Sequence, residues 1–503
     1  MANKEVAEDV SGDVAADAAV PVAANSDGNN AAEIAHKPAD KRCGKAEPGL
    51  TPRSIAVIGS GWAGCAAAVE MARAGYKVTL FEAARTLGGR ARRVDTDRAH
   101  LDNGQHILLG AYSETLRLMK LTGVDRDKTL LTLPLQMRYP AGTGGMDFVA
   151  PALPLPAPLH LAVALLRSKG LERADKLSLA RFSTTARWMG WQLHADCSVS
   201  ELLERFDQTP RLIQLMWRPL CLAALNTPPE RASAQVFLNV LRDSLGAKRS
   251  ASDMLLPRVD LSALFPEAAS AYIKANGGSV RTGAKVQAMR SIEGRLWQLD
   301  ITGAAVDGSW STYFSGVVLA TGAAQAATLL HDIPDCDTSA LCARLTAFEP
   351  EAITTCYLQY DPSVRLELPF FALLDDPDNH QWGQFVFDRG QLDASQAGLL
   401  AVVISASAGA ADQSQDLLAE ALAVQLAVVF QRPELGRPNW FKVITEKRAT
   451  YASSPGLVRP SNSSGLPGLV IAGDYTAGDY PATLESAVRS GVAAAAALRR
   501  GTI

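Results

Sequence analysis

No apolar run in this chain reaches the roughly 18 residues that a membrane-spanning helix needs, so any bilayer contact is expected to be peripheral. Net charge is almost lacking: 49 Lys and Arg stand against 52 Asp and Glu, leaving −3. With no aromatic-plus-basic motif either, nucleic acid is not expected as a partner. Cysteine is sparse, seven residues scattered at 43, 65, 197, 221, 336, 342 and 356. No CxxC pair or Cys/His cluster has metal-ligand spacing, so no metal site is expected, and reduced thiols in a cytoplasmic protein are the better reading. Aromatic residues are missing altogether from residues 1–50, which are rich in Ala, Asp, Asn and Glu. Such a segment cannot bury enough apolar surface to offset its ordering entropy, and residues 1–53 are read as a disordered tail. Asp17 and Pro21 interrupt its one candidate for a signal peptide.

What is present begins at Ser54. The remaining sequence is long enough for a large core and a ligand cavity, and the overall composition, 48% hydrophobic and 20% charged, is that of an ordinary folded protein. Ile55-Ala56-Val57-Ile58 is a short apolar run ending in Gly59-Ser60-Gly61-Trp62-Ala63-Gly64, then an Ala-rich stretch, then Lys77–Glu82. Strand, glycine turn, helix and strand make a βαβ unit with a right-handed crossover. In that setting Gly59 allows the tight turn, Gly61 lets a diphosphate approach the backbone, and Gly64 lets the helix pack on the strand. The helix N-terminus offers donors to the diphosphate, and Glu82 offers acceptors to ribose hydroxyls.

Two further elements narrow the dinucleotide. Arg85-Thr-Leu-Gly88-Gly89-Arg90 brings backbone against the diphosphate and adds a fixed cation, an element that a nicotinamide-dependent dehydrogenase does not need. Near the other end, Gly473-Asp474 and Tyr480-Pro481-Ala482-Thr483-Leu484-Glu485 precede an Ala-rich helix. Its N-terminus suits the electron-rich ring of a reduced flavin.

Between these ends the pattern changes character. Residues 148–166 carry prolines at 151, 154, 156 and 158 among Leu, Val and Ala, and 167–187 carry six basic residues against Glu172 and Asp175. Helices are expected to about 246, with capping-box spacing at Ser198…Glu201 and at Thr227…Glu230. One helix is expected over Leu261–Asn276, strands over 354–360 and 399–405, and a helix near 415–430. The division that results is a tail (1–53), a first FAD-binding part (54–147), a helical, membrane-facing insertion (148–250), a second FAD-binding part (251–330), a substrate domain (331–445) and a flavin cap (446–503).

From Ser54 onward the chain resembles the amine oxidase and carotenoid desaturase superfamily of FAD enzymes. Leu101-Asp102-Asn103-Gly104-Gln105-His106-Ile107-Leu108-Leu109-Gly110-Ala111-Tyr112 and Met254-Leu255-Leu256-Pro257 are similar to the hydroxysqualene dehydroxylase branch, also called squalene-associated FAD-dependent desaturases. The resemblance implies an α/β fold: a Rossmann-type FAD-binding domain interrupted by a mixed α+β substrate domain with a helical insertion. It implies FAD as cofactor, held by Gly59, Gly61, Ala63, Gly64, Glu82, Gly88, Gly89, Arg90, Gly104, Val286, Gly473, Asp474, Thr483 and Leu484. The implied reaction is reductive removal of the allylic hydroxyl of hydroxysqualene, giving squalene in hopanoid biosynthesis. The implied location is the inner face of the cytoplasmic membrane, with contact to upstream enzymes of the squalene pathway. Two rivals stand beside it: a polyprenoid desaturase, and a prenyl-binding protein of the same architecture that uses no FAD. The intact diphosphate glycines and Arg90 argue against the second.

Two readings of Asp102 and His106 stay open at this level. Either one is a general acid in a flavin-adjacent loop, or Asp102 shapes a turn and His106 packs. The leucines at 153, 155, 159, 161, 165 and 166 with Val163, followed by the basic stretch, read either as a monotopic anchor or as cover for the substrate domain's own core.

Overall fold

The computed structural model describes residues 54–151, 159–294, 296–303 and 309–501. The expected tail (1–53) and the run through Leu153 and Leu155 fall outside these residues. Five short parallel strands lie in the order Ser279–Arg281, Lys77–Phe81, Ser54–Ile58, Gly316–Leu319 and Leu469–Ile471. Their near-continuous apolar sequence follows from burial on both faces. Ile55 and Val57 join one core cluster, and Ala56 and Ile58 join another. The sheet is therefore assembled from three separated stretches of chain.

The Trp62–Arg73 helix leaves Gly61 and covers one face of this sheet, and the Leu484–Gly501 helix packs across it. A Cβ at Gly491 would stand 2.1 Å from the Ala63 carbonyl oxygen, so only glycine permits this approach. The other face is covered by an antiparallel sheet of Ala284–Ile292, Leu296–Gly303 and Ser309–Phe314.

A second five-stranded sheet, antiparallel throughout, runs in the order Phe370–Ala372, Phe385–Asp388, Leu399–Ser405, Pro350–Gln359 and Trp440–Tyr451. Period-two alternation divides its residues between two environments. Cys356, Leu358 and Val402 pack with the Gln415–Val429 helix, whereas Tyr357, Ala401 and Val403 join the core of the helical block between Leu159 and Ser244. The α/β class and Rossmann-type core expected from the sequence are what forms. No described helix is long and apolar enough to cross a membrane.

Of three local expectations, one forms as expected and two do not. The Ser198 capping box forms, with the Glu201 amide 3.1 Å from the serine hydroxyl and the Ser198 amide 3.2 Å from the Glu201 carboxylate. The one expected at Thr227 does not: its hydroxyl donates to the Leu225 carbonyl and accepts from the Ser453 amide, and the segment turns without starting a helix. The single helix expected over 261–276 is two, Leu261–Leu264 and Pro266–Ala275, because Pro266 supplies no amide donor at the junction. After the prolines, a helix begins at Leu159 and ends at Arg167.

Candidate active site

One cavity of about 1590 Å³ runs from the C-terminal ends of the parallel strands into the helical block. A single small-molecule site occupies roughly 300–1,000 Å³, so this cavity has room for two ligands end to end.

Its first end is made of backbone. Gly59 adopts φ +100°, and a Cβ there would lie 2.6 Å from the Ala320 carbonyl oxygen. Gly61 and Gly88 form a parallel bridge, and a Cβ on Gly89 would sit 2.9 Å from the Gly61 Cα. A Cβ on Gly61 meets nothing closer than 4.0 Å, so the space before it is open to a ligand. Gly64 is not part of the lining; it keeps helix on strand, since its Cβ would stand 1.9 Å from the Gly59 carbonyl oxygen. Ala63 lines the cavity beside the helix N-terminus. Glu82 accepts from the Ser60 amide at 2.8 Å, the Ser60 hydroxyl at 2.7 Å and the Ala84 amide at 2.8 Å. Val286 reaches the same lining from the neighbouring antiparallel sheet, next to an irregularity in its pairing. Facing glycine turns, an acceptor carboxylate and a helix N-terminus are what a dinucleotide requires, and these residues fit one.

The two ends of the chain meet here. Arg90 donates to the Asp474 carboxylate at 2.6 Å and to the Ala449 carbonyl at 2.8 Å, and the Asp474 charge holds the guanidinium further toward its charged form. Gly473 donates to the Ser490 hydroxyl at 2.9 Å, and a Cβ there would run into the Tyr475 ring. The Thr483 hydroxyl accepts from the Ser486 amide at 3.2 Å, capping the helix that starts at Leu484, and both residues line the cavity. Glu485, fully buried, turns away to accept from the Glu114 and Thr115 amides, the Thr115 hydroxyl and Arg489.

The Asp102–His106 loop lies where the dinucleotide end gives way to the apolar end. The Asp102 carboxylate is not in the lining; it accepts from the Leu261 amide at 2.8 Å. Burial pushes it up to about 7 despite that bond. Its place is behind the wall, where it ties the loop to the start of the Leu261–Leu264 helix. Asn103 ties the loop to the Gly88–Arg90 turn, donating to the Arg90 carbonyl and accepting from the Arg92 amide at 3.1 Å. Gln105 lines the cavity and is held at both amide atoms: it donates to the Tyr357 hydroxyl at 2.9 Å and accepts from Arg389 at 3.1 Å. Tyr357 in turn donates to the Asp102 carbonyl at 2.7 Å. His106 lines the cavity with Nδ1 3.0 Å from the Gly104 carbonyl, and burial lowers its basicity. A carbonyl only accepts, so Nδ1 carries the hydrogen and Nε2 of the neutral ring is left as an acceptor. Gly104 lines the cavity between them.

Beyond this loop the walls are side chains: Phe182 and Leu220 from the helical block, Phe370, Phe385, Phe387 and Val403 from one face of the five-stranded sheet, and Met137, Phe148 and Met254 from short strands beside them. Sequence reasoning missed Tyr357 and Arg389 as supports of the loop. They lie far along the chain, Tyr357 in the Pro350–Gln359 strand and Arg389 in the short 3-10 turn Arg389–Gln391, where the local pattern carries no sign of it. Asn103 was within reach, since an Asn flanked by Asp and Gly is a residue that binds local backbone.

Residues 62–499 match the family model described as flavin containing amine oxidoreductase. The chain is 29% identical over 457 residues to a hydroxysqualene dehydroxylase of Rhodopseudomonas palustris, covering 88% of this chain and 97% of that protein. It is 23% identical over 495 residues to a zeta-carotene desaturase of Synechocystis, covering 88% and 96%. Among solved structures, cyclohexylamine oxidase from Brevibacterium oxydans superposes with a TM-score of 0.57 at 17% identity, covering 89% of this chain and 99% of that one, a likeness of fold.

Proposed function

The chain belongs to the flavin-containing amine oxidoreductase family, and from that premise we propose that this flavin-dependent oxidoreductase binds FAD and removes the allylic hydroxyl of hydroxysqualene to give squalene. A reduced flavin held there would supply a hydride to the allylic carbon and, in overall balance, the proton with which the hydroxyl leaves as water. The observation that carries the reading is the continuity of one cavity from paired glycine turns to a long apolar chamber. Glu82, Gly61, Gly89 and the Thr483–Leu484 helix end bind and orient the dinucleotide. Phe370, Phe385 and Phe387 exclude water from a delocalised cation and offer it aromatic faces. His106, neutral and with Nε2 as acceptor, orients the substrate hydroxyl at the junction. Asp102 and Gln105 position the loop that carries it. A place on the inner face of the cytoplasmic membrane, beside the upstream enzymes that make so insoluble a substrate, goes with this reading.

The likeness to zeta-carotene desaturases over 88% of the chain favours a second reading, a polyprenoid desaturase running the flavin in the opposite direction. Anaerobic incubation separates the two. Photoreduced enzyme with hydroxysqualene should yield squalene and oxidised flavin. If it yields neither, and oxidised enzyme instead becomes reduced by a linear carotene, the desaturase reading replaces the first.

A further inference from the structure

We infer that the Leu159–Arg167 and Arg173–Trp188 helices form a lipid-docking face around the mouth of the cavity, through which a polyprenoid passes directly between an anionic bilayer and the active site. The inference rests on the polyprenoid reading above. The two helices pack on one another, and Lys176 closes the end of the first by donating to the Leu166 and Ser168 carbonyls at 3.2 and 2.8 Å. Each has an inner and an outer side. Leu161, Leu165 and Leu179 face inward and line the cavity. Ala162, Ala180, Thr184 and Arg187 are exposed and line it too, so the cavity opens to solvent between these helices.

Around that opening the surface is unusually apolar. Leu159 is 52% exposed, Leu166 76%, Leu177 65% and Trp188 87%, four of the nine large hydrophobic side chains exposed among the described residues. Leu177, Thr184 and Trp188 fall on one helical stripe with Arg181, and Leu159 and Leu166 share a stripe with Ala162. The charges around them are mostly positive: Arg167, Lys169, Arg173, Arg181 and Arg187 stand exposed against Glu172. Asp175, the other acid, is buried and accepts from the Glu172 amide and the Thr209 hydroxyl. An apolar patch with an interfacial tryptophan and a cationic collar suits anionic headgroups over hydrocarbon. The hydrocarbon phase then meets the apolar cavity without intervening water.

The test uses flavin-loaded enzyme in flotation with vesicles of phosphatidylglycerol and phosphatidylcholine, or of phosphatidylcholine alone. Two triple variants, Leu166→Ser/Leu177→Ser/Trp188→Ser and Arg167→Glu/Arg173→Glu/Arg181→Glu, are compared with the parent, and none of these residues lines the cavity. The parent should float with anionic vesicles and be released by salt. The serine variant should lose binding roughly tenfold or more for the apolar area removed, and the glutamate variant should lose the preference for anionic lipid. Turnover of hydroxysqualene carried in vesicles should fall in parallel, while turnover of substrate in detergent micelles stays at the parent level. Vesicle binding unchanged in both variants, or a parent that turns over vesicle-borne substrate without floating, overturns the docking face. Flotation as expected with no turnover of either substrate form supports the docking face and overturns the hydroxysqualene reading.

Discussion

The two ends of the cavity are built from different materials. At the C-terminal ends of the parallel strands, glycine turns and helix termini present main chain, so the wall is set by residues that must be small or must bend. In the helical block, side chains from strands and helices far apart in sequence make the wall, and many apolar residues would serve at each position. On the proposed function, the first end would select the cofactor by hydrogen bonds at fixed places and the second a substrate by length and exclusion of water.

The largest effect that sharpens this contrast is at Gly61. A valine there fills the one open side of the paired glycine turns, and Gly61→Val protein should purify colourless, with flavin absorbance lost. A fully yellow variant would remove the cofactor end from this place. The apolar end should respond in the opposite way. Leu220→Trp, which narrows the chamber, should keep full flavin content and lose turnover about tenfold or more, the cost of misplacing a reacting chain. Flavin lost together with activity would mean that the two ends are one structural unit.

The legibility of the sequence follows the same division. The βαβ unit, the glycine turns and the terminal helix could be read because each is a local rule about backbone. The α/β fold with its Rossmann-type core, the flavin and the family follow from them. The helix break at Phe265-Pro266 was written in the sequence as a proline. The Thr227 hydroxyl was misread because its partner, Ser453, arrives from another part of the chain. The Asp102–His106 motif was visible as a block, but the division of labour inside it was not, since Leu261, Tyr357 and Arg389 decide which side chains face the cavity.

Smaller effects refine the junction. The Asp102 carboxyl is raised to about 7, so folding favours its protonated form. That contribution is fully present below the ordinary carboxylate range near pH 4 and is lost as pH rises through about 7. Asp102→Asn keeps an acceptor for the Leu261 amide and stays neutral. Its stability relative to the parent should therefore improve by at most about 1.4 kcal/mol per pH unit across that window, as followed by thermal unfolding. A constant difference at all pH values would show that the carboxyl is not the buried neutral acid described. Smallest is the Arg90–Asp474 pair, whose arginine is partly exposed. A double-mutant cycle of Arg90→Ala and Asp474→Ala should give a coupling of about 1 kcal/mol in flavin affinity. Strict additivity would mean that the two chain ends hold the cofactor independently.

On the proposed function, cofactor and hydrocarbon share one cavity end to end. Titrating detergent-solubilised squalene into the oxidised enzyme while recording flavin absorbance tests it most directly. A saturating spectral shift at one squalene per flavin is expected, lost in Leu220→Trp while the flavin stays bound. Squalene that binds at that ratio and leaves the flavin spectrum untouched would contradict it.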